Sequence, residues 1–80
     1  MKTLYLVEED NHGILAMTMS YKDAINFLLG DRWISEETAN FVINMNCAEF
    51  NKYMDASAEE DMLIFITEIP ESRNGIFKLR

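Results

Sequence analysis

Residues 4–19 read LYLVEEDNHGILAMTM. Two apolar runs flank a polar tip at 10–13, which ends in glycine and is rich in residues that tolerate left-handed backbone geometry. A strand, a polar tip with glycine and a second strand form the sequence pattern of a β-hairpin. In the first run, Leu4 and Leu6 alternate with Tyr5 and Val7, so both faces are apolar. The pattern predicts a first strand that lies centrally or is covered on both faces.

Two helices are predicted after the hairpin, each with a serine N-cap. The hydroxyl of Ser20 is placed to accept the amide of Asp23, and Gly30 supplies the C-terminal stop. Ser35 is the predicted cap of the second helix. The acidic residues Glu36 and Glu37 suit its first turn, where the helix dipole favours negative charge. The second helix carries two apolar sets, which predict that it is covered on most sides: Ala39, Val42 and Ile43, and Phe41 and Met45.

The segment after residue 43 allows two interpretations. Asn46 followed by Glu49 predicts a new N-cap and therefore a third helix. The alternative is one helix over residues 36–54, because one apolar stripe runs through both segments at helical spacing. That stripe consists of Ala39, Ile43, Cys47, Phe50 and Met54. We favour the break, with Cys47, Phe50, Tyr53 and Met54 facing inward on the third helix.

The C-terminal part predicts two further strands. Residues 62–69 are rich in β-branched and aromatic residues, and Pro70 ends the run because proline cannot donate to a ladder. A turn at 71–75 precedes a short alternating run at 76–80. The order is β-β-α-α-α-β-β. The economical architecture for residues 1–80 is a single α+β domain, with a four-stranded antiparallel sheet and the helices packed on one face.

The composition indicates a reducing compartment. The chain has a single cysteine, Cys47, and so cannot form an internal disulfide. A secreted domain of this size usually depends on several disulfides. The opening apolar stretch reaches Glu8 too soon for a signal peptide, and no run approaches the length of a membrane span. The expected location is the cytoplasm of a bacterial host cell.

Residues for catalysis or cofactor binding are scarce. His12 is the only histidine and lies at the predicted hairpin tip, where a polar turn residue is the ordinary interpretation. Cys47 lies on an apolar stripe, where cysteine behaves as a small hydrophobic residue. The acidic run 8–11 lacks the spaced oxygen ligands of a calcium loop. The glycines form no phosphate-binding loop, so we predict a non-catalytic protein without a cofactor.

The charge is distributed unevenly along the chain. Residues 33–72 contain nine acidic residues and one base, Lys52, whereas 73–80 contains three bases and no acid. Each acidic cluster has a structural interpretation as a helix start, a solvated face or a guard before an aggregation-prone strand. Most surfaces intersperse both signs, however, and a one-signed field suits docking on a basic groove. The sequence therefore predicts a basic protein partner, and no direct binding to nucleic acid or membrane.

Several segments resemble a group of small phage proteins. The similarity lies in Leu4-Tyr5-Leu6-Val7, His12-Gly13-Ile14, residues 20–29 and Trp33-Ile34. It continues in residues 49–54 and in the strand that begins at Met62. In these segments the chain is similar to accessory proteins of Gram-positive phages and prophages. The resemblance implies an accessory phage gene, a class that includes anti-CRISPR inhibitors of Cas nucleases, and it transfers no functional residue to this chain.

Together, the charge and the resemblance predict an inhibitor that covers a basic groove of a nucleic-acid-binding defence enzyme, with a Cas effector as the candidate target. The predicted partner-binding residues are Asp55, Glu59, Glu60, Asp61, Glu36 and Glu37. The alternative is a homo-oligomeric regulatory or structural accessory protein whose contact is an apolar sheet face or the edge at Phe77. Salt distinguishes the two, because electrostatic docking weakens with ionic strength.

Overall fold

The structure, a computed structural model, describes residues 2–57 and 63–71 and shows an α+β fold. The chain begins with two strands, continues through three helices and returns to a strand. The elements are β1 (Thr3–Glu9), β2 (Gly13–Thr18), α1 (Tyr21–Gly30), α2 (Glu36–Val42), α3 (Cys47–Ser57) and β3 (Ile64–Pro70). The hairpin, the three helices and the later strand all lie within a few residues of their predicted positions.

Strand β1 is the centre of an antiparallel sheet with the order β2-β1-β3. Val7 is opposite Ala16 of β2 and Ile66 of β3, and the register with β2 shifts between Val7 and Glu8. Leu6 and Val7 point to opposite faces of the sheet and are both buried, which explains why both alternating residue sets of β1 are apolar. The prediction of a central or doubly covered first strand is confirmed.

The helices pack on one face of this sheet. Val7, Ile64 and Ile66 point to that face, because Val7 pairs with Ile66 and residues 64 and 66 alternate together. The buried cluster that they form draws from every helix, namely Ala24, Ile25 and Leu28 of α1, Ala39 and Val42 of α2, and Cys47 and Phe50 of α3. Trp33, in the α1–α2 link, is only half-buried against this cluster.

The capping residues of α1 act largely as predicted. The Ser20 hydroxyl accepts the amide of Asp23 at 3.0 Å. At the other end, Gly30 is the last helical residue, and Arg32 adopts a left-handed conformation with φ 62°. The predicted glycine stop is thus displaced, since the left-handed residue that ends the helix is an arginine. The Tyr21 hydroxyl donates to the Val42 carbonyl at 2.6 Å and links α1 to the end of α2.

The break between α2 and α3 is confirmed. Helix α2 ends at Val42, and α3 begins at Cys47. The amide of Glu49 donates to the Asn46 side-chain oxygen at 2.8 Å, while the Glu49 carboxylate accepts the amide of Asn46 at 3.1 Å. This reciprocal capping box satisfies two amides at a helix start, which makes a restart favourable over one continuous helix.

The prediction of a four-stranded sheet is wrong, because the sheet in the described part of the chain has three strands. The run assigned to the fourth strand, 76–80, lies outside the described residues. One feature of β3 works against a further strand beside it. The side chain of Asn51 in α3 binds both the amide and the carbonyl of Ile66, at 2.7 and 2.8 Å. A strand on that side of β3 would require the same amide, and an alternating pattern does not by itself establish which strands pair.

Candidate functional site

The predicted partner-binding acids that the structure describes lie on two helices. Glu36 and Glu37 are exposed in the first turn of α2, directly after the Ser35 cap. Asp55 is exposed near the end of α3. The remaining three predicted residues, Glu59, Glu60 and Asp61, lie outside the described residues. The two helices therefore present acidic side chains to solvent.

An open groove lies between α2 and α3. It has a volume of about 510 Å³ and is lined by Glu37, Thr38, Asn40 and Phe41 of α2 and by Tyr53 of α3. The rings of Phe41 and Tyr53 have centroids 5.0 Å apart and are tilted by 54°. Phe41 is 57% exposed, although its ring contacts that of Tyr53. We call this feature the aromatic–acidic groove.

The helical geometry of α2 places Phe41 outside the core. Ala39 and Val42 are buried, and Phe41 lies about 200° around the helix from Ala39. The prediction that the second apolar set would be covered is wrong for Phe41, since the described core occupies only one side of this short helix. The sequence did contain a signal, because Phe41 falls off the stripe that Ala39 and Val42 define.

Of the predicted acids that the structure describes, one lines the groove. Glu37 lies one helical turn before Phe41 and lines the groove. Glu49 lies one turn before Tyr53 on α3, although its carboxylate is also used by the capping box. Asp55 follows Tyr53 by two residues, about 200° around the helix axis, and so does not border the groove. Glu37 is thus the predicted acid that the fold combines with aromatic side chains.

The His12 ring has a structural role at the hairpin tip. Its Nδ1 lies 2.7 Å from Oε1 of Glu9, a carboxylate whose side chain is fully buried. The same ring contacts Trp33 edge-on, with centroids 5.2 Å apart. Histidine–carboxylate pairs occur in catalytic triads, but there a nucleophile completes the set. Here the pair and the Trp33 contact join the hairpin to the α1–α2 link. The sequence did not predict either contact of His12.

Cys47 is a free, buried thiol. Burial raises its pKa to about 12, and a hydrogen bond with Glu68 and the negative charge of that residue act in the same direction. A thiolate is the nucleophilic form of cysteine, so this thiol is inert at neutral pH. Within residues 2–57 and 63–71, the acidic, histidine and cysteine side chains form no group of three that could hold a metal ion.

The fold and its exposed features define a small α+β domain with an acidic, partly aromatic helical surface. None of the helices in the described ranges is both long and apolar enough to cross a membrane. Comparisons with protein-family models, with curated proteins and with solved structures found no match to this chain.

Proposed function

We propose that this protein is a non-catalytic inhibitor that covers a basic groove of a nucleic-acid-binding enzyme. The observation that carries the proposal is the charge of residues 33–72, where nine acids face one base. In the described part of that stretch, Glu36, Glu37, Glu49 and Asp55 are exposed on α2 and α3. A groove built to hold a phosphate backbone offers the complementary field of lysine and arginine side chains.

The proposed class of target is a bacterial defence enzyme, with a Cas nuclease as the candidate. This step rests on the similarity to phage accessory proteins, among which anti-CRISPR inhibitors occur. An acidic domain in the guide or target channel would exclude nucleic acid by competing for the same basic side chains. The interaction would take place in the cytoplasm of the host cell and would require no cofactor.

A nuclease-inhibition assay on candidate Cas effectors tests the proposal. The test variant reverses Glu59, Glu60 and Asp61 to lysine, and the control reverses the exposed residues Asp10, Asp23 and Asp31. Both triple variants change the net charge from −7 to −1. We expect the test variant to lose at least about 100-fold in potency, because each reversal removes an attraction and adds a repulsion. The control is expected to retain most of the potency. Equal loss in both variants, or no inhibition by the wild type, contradicts the proposal.

A second candidate function is self-association through the sheet. Ile14 and Met17 are each more than half exposed and lie opposite Glu8 and Leu6, on the face turned away from the helices. Met19, just beyond β2, is also exposed. Large contiguous apolar patches on a protein surface mark contact sites. Analytical sedimentation at low and high salt separates the two candidate functions. At 1 M salt the Debye length is about 3 Å, so contacts between exposed charges are screened. A dimer that persists at 1 M salt and dissociates on Met17→Ser favours self-association.

A further inference from the structure

We propose that the aromatic–acidic groove accepts an arginine side chain of the partner protein. The inference rests on the proposed function, since it names the group of a basic partner that the acidic surface would engage. It concerns Glu37, Phe41 and Tyr53, which the sequence did not combine into one site.

The two rings suit a planar cation. Their centroids are 5.0 Å apart and their planes are tilted by 54°, so the rings do not stack face to face on each other. A guanidinium within about 6 Å of a ring centroid is attracted by the negative face of the ring. Phe41 is 57% exposed and therefore presents ring surface to a ligand without moving out of the core. The site is formed in the free protein, which lowers the cost of ordering it on binding.

The charge of the residues beside the rings favours a positively charged ligand. Glu37 lines the groove, and the other lining residues, Thr38 and Asn40, are neutral. A carboxylate can accept two parallel hydrogen bonds from one guanidinium, whereas an ammonium offers only a point charge. The combination of aromatic face and carboxylate therefore favours arginine over lysine. It disfavours nucleic acid, because the Glu37 carboxylate would repel a phosphate.

An NMR titration with a defined peptide tests the site. The probe is an end-blocked pentapeptide of sequence GRGRG, and its matched control carries citrulline, which keeps the shape of arginine without its charge. We expect the arginine peptide to shift the backbone amides of Glu37, Phe41 and Tyr53. The citrulline peptide is expected to leave them unchanged at the same concentration.

Variants separate the groove from the general acidic field. Phe41→Leu preserves the net charge and is expected to weaken peptide binding by about two- to fivefold, the range typical of an exposed cation–π contact. Glu37→Gln is expected to weaken it further than Asp23→Asn, which removes the same charge from the exposed first turn of α1. A thermal melt of each variant confirms that it is folded.

The outcomes distinguish this inference from the proposed function. Shifts spread over acidic residues of all elements, and unaffected by Phe41→Leu, would overturn the groove as an arginine site. Shifts that depend on protein concentration without peptide would overturn it in favour of a second copy as occupant. If the Glu59, Glu60 and Asp61 reversals abolish inhibition while Phe41→Leu alters neither peptide binding nor inhibition, the proposed function is supported and the arginine site is contradicted. If the peptide binds the groove but no nuclease is inhibited, the proposed function is contradicted and the arginine site is supported.

Discussion

Glu9 is a charged residue that the fold buries. It belongs to an acidic run and would ordinarily be solvated, yet its side chain is fully buried. Its Oε1 atom accepts the amides of Asn11 and His12, at 2.8 and 2.9 Å, and contacts His12 Nδ1. Oε2 is buried without a hydrogen-bond partner in the described part of the chain. Glu9 therefore organises the hairpin turn from inside.

The hydrogen bond with the His12 side chain lowers the pKa of the Glu9 carboxyl from its ordinary value of 4.5. Burial raises this pKa, but the hydrogen bonds from the two amides and the nearby His12 charge lower it further, and the net shift is downward. A carboxyl with a lowered pKa in the folded state stabilises the fold above its unfolded-state pKa. That contribution is lost as the pH falls below about 4.5 and through the folded-state pKa. We expect Glu9→Gln to be less stable than the wild type at pH 7 and to show a flatter decline in stability below pH 4.5.

Urea unfolding followed by Trp33 fluorescence across this pH range measures the effect. Asp10→Asn is the matched control, since Asp10 is the exposed neighbour of Glu9 and this substitution removes the same charge. The control is expected to keep the wild-type slope of stability against pH. A Glu9→Gln variant with that same slope would show that the lowered pKa contributes nothing to stability.

At the scale of elements, Asn51 connects helix α3 to strand β3. Its side-chain amide and carbonyl bind the backbone of Ile66, and in this way imitate one residue of a neighbouring strand. Strand edges with unpaired backbone groups invite pairing with other chains. Asn51 occupies that edge where Ile66 is buried and fixes α3 across the sheet.

We expect Asn51→Ala to destabilise the fold by about 1–3 kcal/mol, because the buried amide of Ile66 would lose its acceptor. Hydrogen exchange at Ile66 should accelerate by more than exchange at its β1 neighbour Val7. Asn26→Ala is the control, because Asn26 is exposed on α1 and its loss leaves no partner unpaired among the described residues. Equal stability of the two variants would mean that the Asn51 contacts are not stabilising.

At the scale of the whole molecule, an 80-residue chain depends on few large core side chains. Phe50 is completely buried and packs edge-on against Tyr21, with centroids 6.3 Å apart. It lies in the cluster where side chains from all three helices meet the sheet. One side chain thus supports contacts between α1, α3 and the strands.

Replacement of Phe50 with alanine should cost about 3–5 kcal/mol, the usual cost of a large aromatic cavity. A small domain often has only about 5 kcal/mol of stability, so we expect the variant to be largely unfolded at 37 °C. Phe41→Ala is the paired control on α2, and its cost should stay below about 1 kcal/mol because the side chain is mostly exposed. Thermal melts of both variants test this. Similar melting temperatures would contradict the assigned core.

Local signals in the sequence determined most of the elements. Ser20 and Ser35 begin helices, and Asn46 with Glu49 begins the third, because a cap satisfies nearby amides by short-range hydrogen bonds. The alternating residues of β1 predicted a strand buried on both faces at Leu6 and Val7, since burial on two faces requires apolar residues in both sets. The acidic character of residues 33–72 was also evident from the sequence alone, because charge is a property of composition.

Tertiary structure decided the features that depend on contacts between distant residues. Asn51 meets Ile66 across 15 positions, and Tyr53 meets Phe41 across a helix break, so neither contact follows from local periodicity. The three-stranded sheet of residues 2–57 and 63–71 and the exposure of Phe41 likewise depend on how helices and strands pack together. Capping and alternation act over a few bonds of the chain, whereas strand number and groove formation arise from packing that no short segment encodes.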